Sequence, residues 1–135
     1  MSVTLTDQDK LTLRTAAYGA VTLMAAADAG GKPHKVAAEG SIALSSATGL
    51  VGHVLAKYPT GKDLNGKSVA EIADYVLPAL TAAMSLLNKQ DPAEADNFRS
   101  TVIIAIEAAT QTHNSRPRPT ITEMTRKITA ALDTA

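Results

Sequence analysis

The chain of 135 residues has no cysteine, no tryptophan, one phenylalanine and three tyrosines. Without cysteine there is no disulfide framework, no thiolate metal site and no cysteine nucleophile. With aromatics at 3% of the chain, the core has to be built from Ala, Leu, Val, Ile and Met, which fill space only when the elements carrying them approach closely. A surplus of charge is also missing: 13 Lys and Arg balance 13 Asp and Glu, so there is no global bias toward nucleic acid or an anionic membrane. No apolar run reaches about 18 residues, and the opening MSVTLTDQDK has neither a basic nor an apolar leader region. A cytoplasmic protein without a membrane span is therefore expected. Strand-like alternation is absent as well.

What is present is helical periodicity. Hydrophobic residues at 45% of the chain suffice for one core, and the predicted organisation is a single helical domain over 1–135. Start and stop signals divide it into five helices. Thr6 and Asp9 cap the first, whose apolar positions Leu13, Ala17, Val21 and Met24 run to Gly30-Gly31. Pro33 opens the second, which carries Val36, Ala43, Leu44, Ala47, Leu50, Val51, Val54 and Leu55 before Pro59 and Gly61. Ser68 and Glu71 form a capping box for the third, with an amphipathic stripe through Val69, Ile72, Ala73, Val76, Leu77, Leu80, Ala83, Met84 and Leu87. Asp91, Pro92 and Glu94 supply cap, first-turn proline and capping-box acid to the fourth, with Phe98, Val102, Ile103, Ile106 and Ala109 on its apolar side. After the linker SRPRP, Thr120 and Glu123 open the fifth, with Ile121, Met124, Ile128 and Leu132 on its apolar side. The fold class read from this pattern is all-α: a five-helix bundle of two packed hairpins closed by a C-terminal helix. Pro78 interrupts the third helix's hydrogen bonding at the carbonyl of Asp74 and predicts a kink there.

The second helix poses a problem of its own. Gly40, Gly49 and Gly52 lie within it, and three helical glycines cost roughly 3 kcal/mol relative to alanine. Ser45, Gly49, Gly52 and Ala56 form one ladder of small residues, and Thr15, Gly19, Thr22 and Ala26 on the first helix form another at the same spacing. The expectation is that these ladders face each other and let the two helices cross closely. The alternative is that the glycines clear room for a ligand beside His53, which makes Gly49, Gly52 and His53 a candidate ligand or enzymatic pocket.

The run LMAAADAGG followed by KVAAEG resembles the repeated helical hairpins of the tellurite-resistance TerB-like proteins. The resemblance implies a helical-hairpin fold and a stress-response module that binds a divalent metal ion through acids near the hairpin turn. Asp28 and Glu39 occupy the matching positions in this chain.

Read from the residues alone, chemistry is sparse. His34, His53 and His113 have no short ligand spacing, Ser45 and Ser46 lack a nucleophile elbow, and Gly30-Gly31-Lys32 lacks a phosphate-loop frame. Paired ExxH motifs for a di-metal bundle are missing. Arg116, Arg118, Arg126 and Lys127 read as a solvated basic linker and helix start, not a nucleic-acid interface. No catalytic residue is assigned, and no cofactor is expected beyond the divalent ion that the TerB-like reading implies. The first helix is apolar on two sides, with Leu11, Tyr18 and Ala25 on one and Leu13, Ala17, Val21 and Met24 on the other. Such a helix is either central in the bundle or shared with a partner, and the preferred reading is an interaction protein acting through protein contacts, with self-association as a homodimer expected.

Overall fold

The computed structural model describes residues 5–27, 40–56, 68–110 and 119–134. Six helical segments and no strand occupy these residues: α1 (Asp7–Ala27), α2 (its described part covering 40–45), α3 (Gly49–Leu55), α4 (Val69–Gln90), α5 (Pro92–Thr110) and α6 (Pro119–Asp133). The all-α bundle agrees with the periodicity. The expected count of five does not, because the second predicted helix is two helices joined by a break.

The break has a local cause. The hydroxyls of Ser45 and Ser46 both donate to the carbonyl of Ile42, at 3.0 and 2.8 Å. The Ser46 N–H is shared between the carbonyls of Ile42 and Ala43, and the Ala47 N–H reaches back only three residues, to Leu44. Side-chain competition for helix carbonyls and a tightened last turn end α2. Thr48 is then extended, and Gly49 has φ +74°, a conformation that costs other L-residues about 1–2 kcal/mol. Gly49 is therefore the joint that starts α3, not an interior residue of a longer helix. Gly52 is required by the same fold-back, since a Cβ there would lie 2.1 Å from the carbonyl oxygen of Ala47.

The facing-ladder expectation is corrected accordingly. The principal neighbour of α1 is α4, not α3. A Cβ at Gly19 would come 2.7 Å from a methyl of Val76 on α4, and one at Gly40 would come 2.7 Å from a methyl of Val21 on α1. Close packing is real, but it joins α1 to α4 and to the start of α2. Breaking the second helix rotates Gly49 and Gly52 out of the register that an unbroken helix would impose.

α1 is the central element. Leu13, Ala16, Ala17, Tyr18, Ala20, Val21, Leu23, Met24 and Ala25 are all buried, and they cover most of its circumference, with half-buried Thr15, Thr22 and Ala26 on the remaining side. α3, α4, α5 and α6 of the same chain surround it, so the second apolar side of this helix is covered within the chain. Its N-terminus carries the expected reciprocal cap: Asp9 N–H donates to Thr6 Oγ1 at 3.0 Å, and Thr6 N–H to Asp9 Oδ2 at 3.1 Å. Of the predicted stripe of α4, Ile72, Val76, Leu80, Ala83, Met84 and Leu87 are buried, and Val69, Ala73 and Leu77 are half-buried at its margins. The helix runs unbroken through Pro78. Pro78 lies on the exposed side, so the carbonyl of Asp74 that loses its helical partner is on the side open to water. Phe98, Val102 and Ile106 of α5 and Met124, Ile128 and Leu132 of α6 complete the core as predicted. Among the described residues the one buried polar side chain is Thr101, which donates its hydroxyl to the carbonyl of Asn97 at 2.7 Å.

Candidate functional site

α3 has seven residues, far below the length at which a helix is stable by itself. Each end is completed by side chains from other helices. At the N-terminus the N-cap residue Thr48 makes no side-chain cap bond. Glu94 of α5 takes over that role: the Val51 N–H donates to Glu94 Oε1 at 3.2 Å. Asn97, one turn along α5, donates its amide to the carbonyl of Thr48 at 2.9 Å. Both carboxylate oxygens of Glu94 lie 3.3 Å from where a Gly49 Cβ would be, so the clamp and the absent side chain fit together. At the C-terminus, Arg14 Nε of α1 donates to the carbonyl of Val54 at 2.8 Å, and the Tyr18 hydroxyl donates to that of Leu55 at 2.6 Å. An anion at the amino end and a cation at the carboxyl end both complement the helix dipole.

This arrangement corrects the reading of Glu94 as the acid of its own helix's capping box. Asp91 does cap α5, accepting from the Ala93 N–H at 3.1 Å. The backbone N–H of Asp91, which Glu94 would have to accept from, already donates to the carbonyl of Leu87 at 2.7 Å. With that donor occupied, the Glu94 carboxylate reaches across to α3. The capping box at Ser68 and Glu71 has a free N-cap donor, and both of its bonds form.

The candidate pocket residues fall on α3 itself. His53 is exposed, and Gly52 is buried against the fold-back at Ala47. The space beside Gly49 holds Glu94 and Asn97. Asp28 and Glu39, the candidate metal ligands, lie outside the described residues, as do His34, His113, Arg116 and Arg118. Among the described residues no group of three or more His, Cys, Asp or Glu side chains is placed to hold a metal ion. Arg126 pairs with Glu123 three residues earlier. Arg99 of α5 and Asp133 of α6 form a two-point ion pair, at 2.7 and 3.3 Å. That guanidinium, by hydrogen bonding, holds the Asp133 carboxyl below its usual range.

The outer side of α4 is of a different kind. From Tyr75 to Asn88 the helix has no charged residue. Its solvent side there presents Pro78 and Ala82, exposed, with Thr81 and Ser85 half-buried between them and Leu77 and Leu86 half-buried at the edges. Asp74 precedes this stretch and Lys89 follows it, both exposed. By length and composition α4 could cross a membrane, with a mean hydropathy of 1.3 over 18 residues, although its stripe of largest side chains packs against α1, α5 and α6. Among the described residues, two large apolar side chains elsewhere are exposed, Ile42 on α2 and Ile104 on α5. Compared with protein-family models, curated proteins and solved structures, the chain matches none.

Proposed function

We propose that this chain is an interaction module that works through surface contact and not through catalysis, and that its partner on the outer face of α4 is a second copy of itself. The observation that carries the reading is the charge pattern of that face. An uncharged stretch is bounded by an acid, Asp74, at its amino end and a base, Lys89, at its carboxyl end. A two-fold axis passing between Thr81 and Ala82 sets Asp74 of one copy beside Lys89 of the other and Pro78 beside Ser85. The face is thus complementary to itself in antiparallel register, as an isologous contact requires. Small side chains at the axis allow close approach of the two helices, and no charge has to be desolvated there.

Light scattering and sedimentation on the whole chain test this reading. At about 100 μM, well above a 1 μM dissociation constant, a dimer mass is expected. Ala82→Arg places a charge on the axis and should give a monomer with an unchanged helical spectrum. Lys89→Asp alone should weaken the dimer, and Asp74→Lys combined with it should restore it. A monomeric parent chain at that concentration overturns the second copy as partner.

A further inference from the structure

We infer that α3 is a strap, latched by Glu94, Arg14 and Tyr18, which opens as one unit over the groove between α1 and α5 while the other helices stay packed. The inference goes beyond the self-association reading and does not rest on it.

Three features of the fold lead there. First, α3 packs on α1 and α5, whereas α1, α4, α5 and α6 all contact one another without it. Releasing α3 breaks no contact among those four helices. Second, the strap has a joint. α2 is anchored by buried Leu44 and by Gly40 seated on Val21, and between it and α3 lie the turn at Ser46, extended Thr48 and Gly49 at φ +74°. Backbone rotation at these few residues swings α3 without moving α2. Third, the polar bonds that latch the strap lie at its two ends. Glu94 and Asn97 hold the amino end, and Arg14 and Tyr18 hold the carboxyl end. Between them Val51, Val54 and Leu55 seat in the core as one apolar group, with Leu50 packed against it.

A seven-residue helix with no cap of its own loses its structure when the borrowed caps are lost. Opening is thus cooperative over 49–56. It uncovers the apolar groove where Val51, Val54 and Leu55 were seated and releases the Arg14 guanidinium and the Tyr18 hydroxyl from the carbonyls of Val54 and Leu55. The helices α1, α4, α5 and α6 keep their mutual contacts, so opening at α3 is a sub-global event.

Hydrogen exchange followed by mass spectrometry on the whole chain is the test. In the parent protein the amides of 51–56 should exchange together and faster than those of the α4 stripe from Ile72 to Leu87. Glu94→Ala removes the borrowed cap and should speed exchange over 51–56 about five- to tenfold, leaving α4 and α6 at parent rates. Glu94→Gln, which keeps an acceptor for the Val51 N–H but not the charge, should fall between the two. Should Glu94→Ala fail to fold, Tyr18→Phe releases the other end and should speed the same amides. Exchange over 51–56 that is insensitive to the latch variants overturns the strap. So does acceleration that spreads equally to α4, because opening would then be global unfolding.

Discussion

α3 and α4 are both helices on the surface of α1, and they are held in opposite ways. α4 has 22 residues, its own reciprocal cap at Ser68 and Glu71, and six buried side chains in one stripe. α3 has seven residues, no cap bond from its own N-cap side chain, and polar partners at both ends borrowed from helices elsewhere in the chain. The first is stabilised chiefly by apolar burial, which is non-directional and spread along its length. The second also buries Val51, Val54 and Leu55, but its ends depend on a few directional bonds whose loss leaves backbone groups without partners. One helix carries its own cap and the other has its ends completed by its neighbours.

The largest expected effect lies on the α4 side. Leu80 is fully buried, and Leu80→Ala should lower the global unfolding free energy by about 2–5 kcal/mol in urea titration. Exchange should rise throughout the bundle, α3 included. If only α4 loosens, the frame is not a single cooperative unit and the contrast between frame and strap fails.

Next in size is Gly52→Ala. Replacing a helical glycine with alanine ordinarily gains roughly 1 kcal/mol, but here the new methyl meets the Ala47 carbonyl at 2.1 Å. The backbone would have to move, and a net loss of about 1–3 kcal/mol is expected. The damage should appear first in exchange at 49–56. A more stable variant would mean that the chain does not fold back on Gly52, and that α2 and α3 are one helix after all.

The smallest effect is expected at a polar contact that completes no helix end. Arg99 and Asp133 are both substantially exposed, at 36% and 53% of their side chains. The carboxyl is depressed in the folded chain by its bond to Arg99, so its contribution is present above the ordinary aspartate range and is lost as pH falls through the depressed value. Asp133→Asn should leave the melting temperature near that of the parent at neutral pH. It should also remove a slight acid-side fall that the parent shows. A drop comparable to that of Gly52→Ala would place this pair among the structural clamps.

The readability of these regions differs for the same reasons. The caps at Thr6 and Asp9 and at Ser68 and Glu71 are legible because donor and acceptor sit three residues apart, within a single turn. The stripes of α4, α5 and α6 are legible because side-chain period alone decides which residues share a face. The break at Ser46 left a local trace, two adjacent serines and a Thr-Gly pair, but apolar periodicity carried through it from Leu44 to Leu55 and hid it. The role of Glu94 left no trace at all. Its partner on α3 is 43 residues away in sequence, and the competing reading, a capping box for its own helix, is locally just as good.

By itself the sequence determined that this chain is helical, which faces are apolar, that α1 is apolar enough to be central, and where three helices begin: α1, α4 and α5. These depend on backbone sterics, side-chain period and bonds within one turn, all set before distant segments meet. Only the tertiary structure decided that α4, not α3, lies closest along α1, and that Gly19 accommodates Val76. It alone decided that Glu94 and Arg14 spend their charges on the ends of a helix neither belongs to. Such choices are settled by competition for space and for unsatisfied backbone groups, and the winning partner exists only once the other helices are in place.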